Sequence, residues 1–229
     1  MTTLTTHRLR PELERLPARL KRLPVDDRGY PVPFFVAWQD GKPEFRAMDV
    51  DKFVRAIREK LCWVCGGPLG VHLAFVVGPM CGINRNSAEP PSHLECAEWS
   101  ARNCPFLTRP HMVRRQDDAI NTNVLIEQTA GHAITRNPGV ALVWVTRTYQ
   151  PYDAGEKCPN LRIGPPERVI FYAEGRPATR AEVAASVESG LPALLEIAER
   201  QDRHERGINQ AVATLMKYKL DFERWYPNA

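Results

Sequence analysis

An α+β fold is what this sequence predicts, and three observations carry the expectation. Short runs rich in β-branched and aromatic residues are punctuated by Gly, Pro and Asp-Gly turns. Apolar stripes at helical spacing lie between and after them, and two ligand-type motifs, Cys62-x-x-Cys65 and His93-x-x-Cys96, stand where a metal ion could staple them together. The 229 residues are 43% apolar and 25% charged, enough apolar mass for one substantial core or two small ones and too much for a disordered tail.

Compartment and membrane expectations follow from the same rows. No apolar signal-like run follows Met1, and Met1 to Pro24 is Arg-rich with Glu12 and Glu14 interspersed, which also argues against a mitochondrial leader. A reducing cytoplasm is expected, where a Cys-x-x-Cys pair serves as a metal clip or redox pair rather than a crosslink. The redox reading wants a βαβ context, and here Gly66-Gly67-Pro68 follows the pair instead. Leu61 to Asn84 contains no Asp, Glu, Lys or Arg and is long enough to span a bilayer. Its glycines, Pro68, Pro79, three cysteines and His72 would leave polar groups unsatisfied in lipid, so no membrane partner is expected and a buried hairpin around a metal is read there. A net charge of +4 is too small to argue nucleic-acid binding by itself.

The elements are justified in chain order. His7 to Arg22 puts Leu9, Leu13, Leu16 and Leu20 on one stripe with Arg8, Arg15, Arg19, Lys21 and Arg22 elsewhere, predicting a basic amphipathic helical arm that Pro17 weakens. Pro31 to Trp38, Asp40-Gly41, and Pro43 to Met48 read as a β-hairpin whose turn residues tolerate positive φ. Asp49 starts a helix with Val50, Phe53, Val54 and Ile57 on one face, and Val71 to Val77 is a strand. A loop over Gly78 to Pro91 follows, after which Ser92 caps a helix carrying His93, Cys96 and Trp99. Val140 to Thr148 and Arg168 to Ala173 are strand-like and expected to pair. Thr179-x-x-Glu182 is a capping box that opens a helix, Ser189-Gly190-Leu191-Pro192 interrupts it, and a last helix runs to about Trp225. The expected division is a basic arm at 1–24, a metal-binding α+β module at 25–110, and a strand pair with C-terminal helices at 111–229, packed as one body.

The metal motifs carry the chemistry. Cysteines two apart form the local geometry that grips a tetrahedral Zn²⁺, and His93 and Cys96, three apart, project from one helix face, so Cys62, Cys65, His93 and Cys96 are the candidate ligands. Cys81 and Cys104 are alternatives for the second pair. A knuckle with two cysteines, an intervening hairpin and a helix bearing the other two ligands resembles the treble-clef zinc fingers over Cys62 to Cys96. That resemblance implies a closed structural Zn²⁺ with no place for water.

The treble clef also houses the HNH nucleases, and His72, Asn84 and His93 appear in their order, although Val71-His72 stands where those enzymes have Asp-His. A thiol catalyst built on Cys81 would need a base such as His72 beside it. His72, Cys81 and Asn84 are therefore the catalytic candidates of an enzyme reading. Arg85, Arg102, Arg109, His111, Arg114 and Arg115 cluster around Trp99 and Phe106, and Arg102, Arg109, Arg114 and Arg115 are the candidate nucleic-acid contacts. Glu89, Glu95, Glu98, Asp117 and Asp118 sit among them, as they would on a salt-bridged surface.

Cys62-Trp63-Val64-Cys65-Gly66, Gly78-Pro79-Met80-Cys81, Glu89-Pro90-Pro91-Ser92-His93, Cys104-Pro105-Phe106-Leu107 and Gly175-Arg176-Pro177-Ala178-Thr179-Arg180 together resemble a group of uncharacterised phage and bacterial proteins from about Leu23 onward. The resemblance implies a phage or mobile-element setting. The functional expectation is a zinc-stabilised, non-catalytic protein that binds nucleic acid or a nucleoprotein partner. An enzyme and a protein-binding inhibitor of a host factor are the alternatives.

Overall fold

The computed structural model describes residues 8–13, 15–109, 125–126, 138–153, 158–204 and 210–228. Among them the chain is mixed α+β, built on antiparallel sheets. It opens with an irregular segment and a single 3₁₀ turn at Leu20–Arg22, not the helical arm that the leucine spacing predicts. Pro11 and Pro17 withdraw two backbone donors from any such helix, while Leu20 becomes fully buried by packing.

Strands β1 (Val36–Gln39) and β2 (Lys42–Met48) form the expected hairpin, with Asp40 and Gly41 at φ 50° and 75° in the turn. Leu125–Ile126 adds β5 to this sheet against Ala47 and Met48. Helix α1 (Val50–Glu59) begins at Asp49, whose carboxylate accepts from the Lys52 N–H at 3.1 Å. Phe53 and Ala56 turn inward, whereas Val54 is half exposed and lies off the predicted apolar face. Trp63 joins this cluster, stacked on Phe35 at 5.1 Å and edge-on to Phe53 at 5.6 Å.

The centre of the molecule is a four-stranded antiparallel sheet in the order β10-β9-β6-β3, from β3 (Leu73–Val77), β6 (Ala141–Thr146), β9 (Arg168–Ala173) and β10 (Arg176–Pro177). The expected pairing of the two strand-like runs is β6 with β9, and β3 lies on the other side of β6 from Leu73↔Thr146 to Val77↔Leu142. All six residues of β6 are buried because both faces of the sheet are covered. Ala74, Val143, Val145 and Tyr172 pack on one face against Ala97 and Ala101 of α3 (Leu94–Asn103). Phe75, Leu142, Trp144 and Phe171 pack on the other against Ile83 of α2 (Pro79–Asn84), Val183 and Val187 of α5 (Arg180–His204), and Leu215 and Phe222 of α6 (Gln210–Glu223). The result is a helix–sheet–helix sandwich. A small sheet, β4 (Asn86–Ser87), β8 (Asn160–Ile163) and β7 (Tyr149–Tyr152), flanks it, and α4 (Pro105–Thr108) follows α3.

Three further expectations are corrected. The segment from Gly78 is not all loop, since Pro79 starts α2 at the first helical position and Arg85 ends it in the left-handed region. His93, not Ser92, is the N-cap of α3. Pro192 does not interrupt the helix, because Val187 before it and Ala198 after it are buried in one core and hold α5 together across the missing N–H.

Candidate metal centre

Backbone geometry at the first ligand pair is a tight knuckle. The Cys62 N–H donates to the Gly67 carbonyl at 2.7 Å and the Gly66 N–H to the Cys62 carbonyl at 2.8 Å. Gly66 sits at φ +70° with its Cα face against the Phe34 ring, a conformation and a closeness that a side chain would oppose. The turn aims the amide of Cys65 at the Cys62 sulfur, 3.4 Å away, and the amide of His93 donates to the same sulfur at 3.4 Å from the other motif.

The second pair is delivered by one helix start. Reciprocal Ala74 and Ser92 backbone bonds of 2.9 and 2.7 Å pin the chain against β3 just before His93 caps α3, and Cys96 follows in the first turn. The His93 Nδ1 faces Cys65 Sγ at 3.4 Å and Cys96 Sγ at 3.9 Å, while Nε2 lies 2.9 Å from the Pro68 carbonyl. A carbonyl only accepts, so the ring carries its proton on Nε2 and presents the Nδ1 lone pair to the sulfurs. One ligand atom from each of Cys62, Cys65, His93 and Cys96 lies within 4.8 Å of every other, close enough to hold one metal ion. Cys62 and Cys96 are buried, and Cys65 and His93 are partly covered.

Crowding splits the thiols. The Cys62 thiol is pulled far down because the Cys65 and Cys96 side chains hydrogen-bond to it, helped by the two amides. Donating to Cys62 pushes Cys65 and Cys96 up. Cys81 and Cys104, the alternative ligands, stand outside the cluster: Cys81 is exposed on α2, and Cys104 joins α3 to α4. The segment between the ligand pairs differs from a simple hairpin. It holds β3, α2 and β4, with the single bridge Ala74↔Ser92 in place of a returning strand in the same sheet.

Sequence reasoning missed the lid of this centre. Leu16, Leu20 and Leu23 pack with Cys62, Val64, Cys65 and Cys96. The Arg19 Nε bonds Glu95 on α3 at 2.7 Å, and Arg22 reaches within 3.9 Å of the Cβ position at Gly67. The signal is the four-residue spacing of Leu16 and Leu20, which reads as a solvated or partner-packed helical arm and is instead a strap over the cluster.

The catalytic candidates are not gathered. His72 is exposed at the start of β3, with its Nδ1 2.9 Å from Glu167, which Arg147 also engages and which lies below the ordinary carboxylate range chiefly through that arginine. Cys81 and Asn84 sit on α2 past the far end of β3, and five strand residues separate the two ends by about 17 Å. Arg102 and Arg109 are exposed at the end of α3 and after α4, whereas Arg114 and Arg115 lie outside the described residues. Among the described residues no helix is long and apolar enough to cross a membrane. No protein-family model, no curated protein and no solved structure matches this chain.

Proposed function

We propose that Cys62, Cys65, His93 and Cys96 hold one Zn²⁺ as a closed structural centre of treble-clef type, in a non-catalytic protein that binds nucleic acid or a nucleoprotein partner. The observation that carries the zinc reading is the donor set itself. Three sulfurs and one imidazole Nδ1 converge with no carboxylate among them, the soft set that favours zinc over magnesium or calcium. Tetrahedral zinc with ordinary bond lengths separates sulfur from nitrogen by about 3.6 Å. The 3.4 and 3.9 Å separations here bracket that value. Four protein ligands leave no coordination position for a substrate or water, so the ion supplies cohesion rather than reactivity.

Arg102, exposed in the last turn of the helix that the metal fixes, and Arg109, exposed just after α4, support the nucleic-acid part. Phosphate contacts of this kind make binding salt-dependent through counterion release. Elemental analysis of the purified chain tests the first part, with one zinc per chain expected and loss in Cys62→Ser. Binding to short duplex and single-stranded DNA and RNA tests the second. Affinity must fall with added salt and weaken in Arg102→Ala/Arg109→Ala; absence of binding at low salt refutes it.

A further inference from the structure

We infer that the groove lined by Arg8, Arg10 and Arg28 binds a nucleotide unit of single-stranded nucleic acid, the phosphate on Arg8 and the base against the ordered arginine planes. This goes beyond Arg102 and Arg109 and rests on the nucleic-acid reading only for the class of partner. The groove measures about 320 Å³, near the lower end of small-molecule pockets, and its lining sets three guanidinium groups against the one carboxylate of Asp27.

The turn that carries Asp27, Arg28 and Gly29 is built, not incidental. Buried Asp26 accepts from the Arg28 and Tyr30 amides at 3.1 and 2.7 Å and from the Arg28 Nε at 2.8 Å. Gly29 turns at φ +82°, its carbonyl accepting from the Arg10 amide at 3.1 Å. The guanidinium groups are then ordered by rings. Arg10 and Arg28 stand over Tyr30 at 5.1 and 5.7 Å, and Arg28 also stands over Phe45 at 5.0 Å, so both guanidinium groups are held by rings outside the groove's lining.

The three arginines are not equivalent. Arg28 spends its Nε on Asp26, and Arg10 pairs with exposed Glu12, a surface pair of the weak kind that a phosphate can displace. Arg8 has no carboxylate or ring partner among the described residues. Planar groups held in place suit bases, which offer a flat π-face whatever their sequence, and a guanidinium with no carboxylate partner among the described residues suits the phosphate between them. A duplex hides its base faces in the stack, so the groove's chemistry selects a single strand.

The experiment uses the full, metal-loaded chain and a short labelled oligothymidylate, read by fluorescence anisotropy across a salt series. Arg8→Ala is expected to weaken binding by about fivefold or more and to lower the slope of log K against log salt by about 0.7, one phosphate contact on a single strand. Arg28→Lys keeps the charge and loses the plane, and is expected to weaken affinity while the salt slope stays near its original value. Zinc content and circular dichroism matching the unsubstituted chain exclude a folding defect. Unchanged affinity and slope in Arg8→Ala overturn the groove. If Arg102→Ala/Arg109→Ala then removes binding, the nucleic-acid reading stands without it. No binding by the unsubstituted chain at low salt overturns both, and displacement by inorganic triphosphate as effective as by unlabelled oligonucleotide overturns the base contact.

Discussion

Gly66 is where the knuckle depends on the absence of a side chain. A Cβ there would lie 2.8 Å from the Phe34 ring, and φ is +70°. Gly66→Ala is expected to cost about 1–3 kcal/mol, measured by urea unfolding of the zinc-loaded chain, together with faster zinc loss to a chelator. Leu20 has the opposite kind of role. It is fully buried against Cys62, Val64 and Cys96, so Leu20→Ala is expected to cost about 2–5 kcal/mol and to open the centre to solvent. If chelator kinetics in Leu20→Ala match those of the unsubstituted chain, the strap does not guard the site. At this scale the four candidate ligands, which the fold brings within reach of one ion, were legible because Cys-x-x-Cys and His-x-x-Cys are local chemistry. The strap was not, because a leucine stripe at helical spacing says that a face is buried without saying against what.

Among the elements, α5 shows both a rule kept and a rule overridden. Its capping box is present: the Thr179 amide donates to Glu182 at 2.8 Å, and the Glu182 amide lies 3.3 Å from the Thr179 hydroxyl. The Glu182 carboxyl is pulled down to about 2, first by the Arg176 guanidinium and then by the Thr179 amide. A folded value below the unfolded one, about 4.3, means that the box contributes fully above that pH and loses its contribution as pH falls toward about 2. Glu182→Gln is expected to flatten this acid limb of the unfolding curve, and Thr179→Ala to cost about 1 kcal/mol near neutral pH. An acid limb unchanged in Glu182→Gln refutes the assignment. Pro192 was expected to break the helix, yet tertiary packing carries α5 through it. Pro192→Ala restores the missing donor, and a net gain of about 2 kcal/mol is expected after the lost rigidity of the unfolded chain is counted. The cap was legible because its partners are three residues apart. The continuity of α5 was not, because it is decided by Val187 and Ala198 meeting a sheet built elsewhere in the chain.

The whole molecule is coupled through α3. One side of this helix carries Cys96 into the thiol–imidazole cluster, and the other lays Ala97 and Ala101 on the central sheet. The β6–β9 pairing could be read from β-branched runs, but β7 and β8, in the Pro- and Gly-bearing stretch between those runs that reads as a loop, and the order β10-β9-β6-β3 could not. Joining β3 to β6 closes a loop of more than sixty residues, and no local spacing encodes that choice. This arrangement predicts an ordered response to metal removal. The helices α5 and α6 cover the opposite face of the sheet through Trp144, Phe171 and Phe222, in a core that contains none of the four candidate ligands. The knuckle, the strap and the first turn of α3 have the thiol cluster as their shared core. Chelation is therefore expected to remove amide-exchange protection from residues near Cys62 to Gly67 and Leu94 to Ala97 before β6 and β9 lose theirs, with a lower melting temperature throughout. Simultaneous loss across β6, β9 and α3 would instead make the metal the keystone of a single cooperative unit. Unchanged protection around Cys96 would mean that the cluster needs no ion to stand.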